Sequence, residues 1–299
     1  MKEAMRVFCW NVQGRVEPTL GRQLRRVLER KPDVIALQEL TVKSYPGWRD
    51  QLEDADYSVL STERLIGEPY PEPPYEEPPF PPPRGGGKRG HIRRTNFNLI
   101  AARHPIDMLD GLSFPDAGER RFAFPEKYLA ARVELDGATL EVHNAHVPPG
   151  ASRGVLKVHA FEAIRRRVDT DEPTPRILCG DFNAPWEENA DGPVTKIRKW
   201  PEEIARRWRD AETALLANPD MRDVYRDVHK QGTDFPVSHW TGRKRLTPHR
   251  YDYVFASPEL ETISCEYVSD WLERNERGWR LSDHAPVVAD LALRAVRQR

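Results

Sequence analysis

The sequence places polar residues of catalytic type at the ends of short apolar segments. Four apolar runs end in such residues, and two other runs begin shortly after them. In chain order, the six groups are Trp10-Asn11, Gln38-Glu39, Asn144-Ala145-His146, Gly180-Asp181-Phe182-Asn183, Arg250-Tyr251-Asp252 and Ser282-Asp283-His284. Catalytic groups commonly lie on loops at strand ends, where a rigid scaffold positions them. Each group alone is a common turn or surface feature, but the whole set predicts one convergent site.

The donor atoms of this set indicate a hard metal ion and phosphate chemistry. Asn, Glu and Asp side chains offer oxygen ligands, and the set contains no thiolate. Such ligands suit Mg²⁺, with Mn²⁺ as a substitute, better than Zn²⁺. His146 and His284 could hold or protonate a phosphoryl group, and Asp252 could orient one of them.

The strands that carry these groups must run in both directions if the groups are to meet. The four runs that end in polar groups must point toward the site, and the two that begin with them must point away from it. This arrangement requires mixed sheets and excludes a purely parallel, doubly wound sheet.

Strand-length and helical patterns alternate along the chain, which indicates an α/β protein. The predicted strands cover residues 7–10, 34–37, 57–60, 98–102, 129–135, 139–142, 176–179, 253–256 and 287–291. An Asp-Gly pair at Gly137 predicts a hairpin between two of them. The predicted helices cover residues 19–30, 155–168 and 201–216. Thr19 is expected to cap the first helix and Pro201 to lie in the first turn of the third. No change in composition divides the chain, so we expect a single domain over residues 1–299.

One segment interrupts this pattern. Residues 68–87 read EPYPEPPYEEPPFPPPRGGG, which cannot form a helix or a central strand. We expect a polyproline-type loop insert over about residues 67–90, followed by a basic run that includes Arg93 and Arg94. Two interpretations stay open: a mobile solvated insert, or a flap that faces the substrate or a partner.

The composition limits the classes of function. The chain has 46 Lys and Arg and 47 Asp and Glu residues, for a net charge of -1, and its mean hydropathy is -0.71. A dedicated nucleic-acid-binding domain usually carries a basic excess, so contacts with nucleic acid would come from local patches. Three separated cysteines predict buried reduced thiols rather than disulfides or a zinc site. No signal peptide or membrane span is recognisable, and we expect a cytoplasmic monomer.

Taken in order, these motifs resemble the endonuclease/exonuclease/phosphatase superfamily, the metal-dependent phosphoesterases that include pancreatic deoxyribonuclease. The resemblance extends from Val7 to about Leu291. It implies a four-layer α/β sandwich with two central mixed β-sheets flanked by helices.

The resemblance also implies roles for single residues. Glu39, with help from Asn11 and Asp283, would hold Mg²⁺. Asp181 and Asn183 would position and polarise the attacking water and the phosphate. His284, oriented by Asp252, would contact the scissile phosphate, and His146 would be a further phosphate contact. Apurinic endonucleases typically have a tyrosine at the position of His146, which counts against an abasic-site nuclease.

The loops, rather than the shared site, select the substrate in such a scaffold. We expect a nuclease that acts on DNA or RNA phosphodiesters, as an endonuclease or an exonuclease. The alternatives are a phosphatase or phosphodiesterase for a small molecule or lipid headgroup, and a non-catalytic protein that binds phosphate or nucleic acid. The residues expected at the substrate rim are Arg93, Arg94, Trp186, Trp240, Arg243 and Arg250.

Overall fold

Two six-stranded sheets form the centre of the structure, a computed structural model that describes residues 4–67, 95–109, 124–135, 137–170, 172–184, 186–189, 192–195, 202–230, 235–241, 247–273 and 280–294. The strands are β1 Met5–Asn11, β2 Val34–Leu40, β3 Ser58–Ser61, β4 Phe97–Ala102, β5 Ile106–Met108, β6 Tyr128–Leu135, β7 Ala138–His146, β8 Arg176–Asp181, β9 Trp186–Asn189, β10 Gly192–Thr195, β11 Arg222–Asp223, β12 His239–Thr241, β13 Thr247–His249, β14 Asp252–Ala256, β15 Leu260–Tyr267 and β16 Val287–Leu293. The helices are α1 Thr19–Glu29, α2 Tyr45–Glu53, α3 Gly150–Val168, α4 Glu202–Leu216 and α5 Val224–Val228.

Both large sheets are mixed, as the positions of the polar groups predicted. The first has the strand order β15-β16-β1-β2-β4-β3, with β1 parallel to β2 and antiparallel to β16. The second has the order β11-β14-β8-β7-β6-β5, with β7 parallel to β8 and β8 antiparallel to β14. In each sheet, two parallel strands therefore end at the edge where an antiparallel neighbour begins.

The two sheets pack face to face, and helices cover their outer faces. Cys9 of β1 and Cys179 of β8 belong to one buried cluster between the sheets. Side chains alternate along a strand, so neighbouring residues such as Phe8 and Leu178 face outward instead. Phe8 packs with residues of α1 and α2, and Leu178 with residues of α3 and α4. The four-layer sandwich is thus confirmed, and Cys9, Cys179 and Cys265 are buried and unpaired.

The helices largely follow their predicted patterns. In α1 the buried residues Leu20, Leu24 and Val27 repeat at three to four positions, as an amphipathic helix requires. The prediction that Thr19 caps α1 is wrong, because Pro18 precedes the helix and no side chain accepts a capping hydrogen bond there. Helix α3 begins at residue 150, ahead of the predicted start at 155. Pro201 lies outside the described residues, as does most of the Pro-rich insert.

Two glycines have conformations that explain their presence. Gly137, with φ 83°, lies in the turn that joins β6 to β7, where the hairpin was predicted. Gly180 of β8 has φ 144°, and a Cβ there would lie 1.8 Å from the carbonyl oxygen of Ala145 in β7. A side chain at residue 180 would therefore force apart the two strands that carry His146 and Asp181.

No helix in the described part of the chain combines the length and the hydrophobicity needed to cross a bilayer.

Candidate active site

The six polar groups lie at one edge of the sandwich, where the two sheets meet. Asn11 ends β1 in the first sheet and Asp181 ends β8 in the second. The Asn11 Nδ2 donates to Asp181 Oδ2 over 3.0 Å, and both side chains are buried. This hydrogen bond joins the sheets at the centre of the candidate site.

His284 is held between two carboxylates of the second sheet. Its Nδ1 lies 2.8 Å from Asp252 Oδ2, and its Nε2 lies 3.7 Å from Asp181 Oδ2. Burial alone would lower the pKa of His284, but the negative charges of Asp252 and Asp181 raise it to about 10. His284 is therefore an imidazolium at neutral pH, fixed by Asp252 and able to donate from Nε2.

His146 has the opposite protonation state. Burial lowers the pKa of His146 well below its ordinary value, and the charges of Lys127 and His284 lower it further. The Lys127 Nζ lies 3.2 Å from His146 Nδ1. An ammonium group can only donate, so Nδ1 accepts and the proton of the neutral ring lies on Nε2. That Nε2 lies 3.7 Å from both Glu39 Oε1 and Asp181 Oδ2.

Glu39 and Asp283 are linked to the centre through amide side chains. Burial raises the pKa of Glu39, and a hydrogen bond with Asn11 opposes the rise. The Gln13 backbone N–H donates to Asn11 Oδ1 over 3.0 Å, and Gln13 Nε2 donates to Asp283 Oδ2 over 2.8 Å. Glu39 and Gln13 both have positive φ, at 61° and 56°, so the backbone is turned sharply at both positions. Gln13 thus couples two of the predicted metal ligands.

The loop after β8 folds back on its own carboxylate. Asn183 has φ 48°, and in this conformation its backbone N–H donates to Asp181 Oδ1 over 2.9 Å. Its side-chain Nδ2 donates to the Val147 carbonyl over 3.0 Å. Burial raises the pKa of Asp181, whereas the charge of His284 lowers it. The sequence Gly-Asp-Phe-Asn therefore forms a hydrogen-bonded turn that presents one carboxylate to both histidines.

His239 joins this site, although the sequence motifs did not include it. Its ring centroid lies 4.4 Å from that of His284, and its Nδ1 lies 2.9 Å from the Asp283 carbonyl oxygen. The stack continues away from the site, with His239 against Tyr251 at 5.4 Å and Tyr251 against His249 at 4.8 Å. Lys127 and Gln13 were also missed, since neither belongs to a recognisable motif.

Two other motif residues serve the core. Gln38 Nε2 donates to Asn144 Oδ1 over 2.8 Å across the gap between the sheets. The Asn144 Nδ2 donates to the carbonyls of Leu37 and Leu99, each over 2.9 Å. These buried amides connect the sheets behind the site and leave Glu39 and His146 to face it.

The placement of Arg250 at the substrate rim is wrong. Arg250 is buried, and its two terminal nitrogens each donate over 2.6 Å to Asp223. The rings of Tyr225, Tyr253 and Tyr267 surround the guanidinium, with centroids 4.4 to 5.5 Å away. The charge is fully used inside the fold, so it cannot contact a substrate.

The structure describes only some of the other residues that were predicted to lie at the substrate rim. Trp240 is half-buried and lines a surface cleft of about 650 Å³ with Tyr225, Phe235 and Tyr267. Trp186 lies on β9, but its side chain is outside the described part of the structure. Arg93, Arg94 and Arg243 also lie outside the described residues.

Two sets of side chains place candidate ligand atoms close enough to share a metal ion. Within each set, the ligand atoms lie within 4.8 Å of one another. The sets are Asp181, Asp252 and His284, and His239, Asp283 and His284. Both sets include His284, which cannot ligate a cation as an imidazolium, so the carboxylates of Asp181 and Asp283 are the groups of these sets that could hold a metal ion. The same edge donates hydrogen bonds from His284 to an anion, which suits a phosphoester.

Comparisons with known proteins agree with the geometry. The profile of the Endonuclease/Exonuclease/phosphatase family matches residues 8–284. A search of curated proteins finds no match.

Solved structures share the fold at low sequence identity. An AP endonuclease from Archaeoglobus fulgidus is 18% identical, with a TM-score of 0.62 over 95% of this chain and 98% of that chain. D. rerio TDP2 complexed with single strand DNA product is 15% identical, with a TM-score of 0.60 over 97% of this chain and 99% of that chain. An endonuclease/exonuclease/phosphatase from Beutenbergia cavernae is 21% identical, with a TM-score of 0.58 over 98% and 72%.

Proposed function

Because the chain belongs to the endonuclease/exonuclease/phosphatase family, we propose that it is a Mg²⁺-dependent nuclease that hydrolyses phosphodiesters of DNA or RNA. Membership of the family makes it a phosphoester hydrolase. We propose the metal, the roles of single residues and the nucleic-acid substrate from the contacts of the described residues.

The ligand set fits Mg²⁺ on the chemistry of its donors. Glu39 and Asp283 supply carboxylate oxygens, and Asn11 supplies an amide oxygen. Burial raises the pKa of Glu39, and a cation bound beside the carboxylate would oppose this effect as Lys127 does. When bound, Mg²⁺ would neutralise charge on the phosphate and on the leaving oxygen.

The protein groups would orient the reaction. Asp181 would accept a hydrogen bond from the attacking water and align it for in-line attack, with Asn183 holding the carboxylate in place. His284, as an imidazolium, and His146, through its Nε2–H, would donate to phosphate oxygens as charge develops on them. The described serine hydroxyls of the site are engaged with backbone groups: Ser282 donates to the Asn11 carbonyl, and Ser238 accepts from two N–H groups. Water is therefore the proposed nucleophile, and no covalent enzyme intermediate is expected.

The stack of rings beside His284 is the observation that favours a nucleic acid. The stack leads away from the phosphate-binding groups, and each of its rings is partly exposed. The rings belong to His239, Tyr251 and His249. Flat aromatic faces next to a cationic site hold single-stranded nucleic acids by stacking and phosphate contact. Of the structurally similar proteins, one is an AP endonuclease and another was solved with a single-strand DNA product, which is consistent with this substrate class.

A panel of substrates tests the proposal. Purified protein would be given single-stranded, nicked and abasic DNA, RNA, and small phosphoesters, each with Mg²⁺, Mn²⁺ or EDTA. We expect metal-dependent cleavage of oligonucleotides with no preference for abasic sites, and a rate at low substrate concentration that falls steeply with salt. Hydrolysis of a soluble phosphomonoester with none of an oligonucleotide would instead identify a small-molecule phosphatase. Undiminished turnover in EDTA would refute the metal dependence.

A further inference from the structure

A lysine is buried directly behind the loop that carries Asp181. Lys157 belongs to α3 and is completely buried. Its Nζ donates to the carbonyl of Phe182 over 3.1 Å and also to the carbonyl of Asn183. The ammonium group also lies 5.3 Å from the ring centroid of Phe161 and 5.2 Å from that of Trp208. The proposed mechanism does not use this charge.

Stability alone does not account for a lysine at this position. Burial lowers the pKa of Lys157 to about 8, although the charges of Glu212 and Asp181 favour the ammonium form. Burial of a charge is unfavourable unless it is paired and hydrogen-bonded. An apolar side chain would fill the space between Phe161 and Trp208 without that penalty. The lysine differs from such a residue only in the two hydrogen bonds that it donates to the loop and in its charge.

These two hydrogen bonds attach the loop to α3, because the carbonyls of Phe182 and Asn183 accept them. In the same turn, Asn183 has a left-handed backbone conformation, and its N–H donates to Asp181 Oδ1. A non-glycine residue with positive φ persists only where its surroundings enforce it. Lys157 is the described side chain that donates to both carbonyls of this turn.

We propose that Lys157 is a positioning residue for phosphoester hydrolysis, which fixes the Asp181–Asn183 turn so that Asp181 faces the attacking water. This inference rests on the proposed function. It predicts that removal of the two hydrogen bonds impairs the chemical step more than substrate binding, because the loop contacts the reacting groups rather than the substrate rim. Misplacement of a reacting group by 1 Å can reduce a rate by about 100-fold.

The test compares Lys157→Met with Ile164→Ala. The methionine keeps most of the apolar stem and removes the donors. Ile164 lies on the same helix, is also buried and belongs to the core cluster that contains Phe161 and Trp208, so its truncation weakens the packing of α3 but removes neither hydrogen bond of Lys157. Steady-state kinetics on an oligonucleotide would be measured for both variants, together with thermal unfolding. In parallel, the Asn183 amide proton would be followed by NMR hydrogen exchange in EDTA.

We expect Lys157→Met to lower kcat by about 100-fold with little change in KM, and to lose protection of the Asn183 amide. Ile164→Ala should keep both properties while its melting temperature falls. A Lys157→Met protein with the kcat of the wild type, or with a protected Asn183 amide, would overturn the proposal. If Lys157→Met does not fold, Lys157→Leu, which is also apolar and has no donor, decides by the same two measurements. A wild type that hydrolyses no phosphoester would refute the proposed function instead, and the amide exchange would still decide whether Lys157 holds the turn.

Discussion

Asp252 should control the charge of His284, and Asp252→Asn tests this with almost no change in side-chain shape. The carboxylate Oδ2 lies 2.8 Å from His284 Nδ1, and Asp252 is completely buried. An asparagine can still accept the hydrogen bond through Oδ1, but it carries no negative charge. The substitution therefore isolates the electrostatic part of the contact.

The expected magnitude follows from the pKa of His284. A rise from the ordinary 6.5 to about 10 stabilises the imidazolium by about 5 kcal/mol, at about 1.4 kcal/mol per pKa unit. After burial, which lowers the pKa of His284, the charge of Asp252 is the largest influence and raises it. Without that charge the pKa of His284 should fall, although the charges of Asp181 and Asp283 still raise it. A fall to the ordinary 6.5 would change the ring at pH 7.5 from almost fully charged to about 10% charged, and kcat would then fall about tenfold.

The charge of His284 also makes the stability of the folded protein depend on pH. The folded pKa of His284 lies above the unfolded value, so the stabilisation is complete below about pH 6.5 and is lost as the pH rises through about 10. The free energy of unfolding of Asp252→Asn should therefore differ from that of the wild type more at pH 6 than at pH 10.

The assay is an NMR titration of ¹⁵N-labelled histidine in EDTA, alongside the pH profile of hydrolysis. Asp270→Asn removes the same charge from an exposed position and serves as the control. In this control, His284 should titrate as in the wild type. A neutral His284 in the wild type at pH 7.5, or an unchanged titration in Asp252→Asn, would refute the electrostatic reasoning.

Three further substitutions test separate parts of the structure. Glu39→Gln removes the charge of a proposed metal ligand, so calorimetry should show weaker Mg²⁺ binding and activity should fall heavily; unchanged affinity would exclude Glu39 as a ligand. Arg250→Met removes the ion-pair partner of Asp223. The free energy of unfolding, measured with urea, should fall by about 3–5 kcal/mol. Weaker substrate binding with unchanged stability would instead place Arg250 at the substrate rim. Gly180→Ala places a Cβ 1.8 Å from the Ala145 carbonyl oxygen, so the melting temperature should drop sharply or no folded protein should form. A Gly180→Ala protein as stable as the wild type would contradict the close approach of β7 and β8.

The central strands could be predicted because their apolar runs are continuous. Strands β1, β2 and β8 are buried on both faces, and their sequences show it. The edge strand β15, Leu260–Tyr267, was missed, because only Leu260 and Cys265 are buried in it and a bulge breaks its alternation. This strand forms because it pairs with β16, and the local sequence of β15 does not indicate that pairing.

The helices show the same limit. Helix α2 was missed because Pro46 and Gly47, residue types common in turns, lie at its start and only Trp48 and Leu52 are buried in it. The expected cap at Thr19 failed because a threonine at the first helical position looks identical in sequence to one at the position before it.

The candidate site was predictable where a residue ends or precedes a strand, because the sheet then fixes its position. This applies to Asn11, Asp181 and Asp252. It does not apply to Lys127 or Lys157, which meet the site through contacts with residues distant in sequence. Lysines on a turn and on a helix are usually solvated, and only the folded structure shows that these two contact the groups of the site. Arg250 was wrongly placed at the substrate rim because its ion pair with Asp223, which is distant in sequence, cannot be predicted from the residues around Arg250.

The role of Asp181 in aligning the attacking water is tested most directly with the variant Asp181→Asn. The measurement is the single-turnover hydrolysis of a single-stranded oligonucleotide with Mg²⁺. The substitution keeps the size of the side chain and removes the carboxylate that both histidines face. We expect a protein that is folded, as judged by circular dichroism, and whose rate is reduced by about 10²–10⁴-fold. A folded Asp181→Asn protein that cleaves the oligonucleotide at close to the rate of the wild type would contradict this role of Asp181.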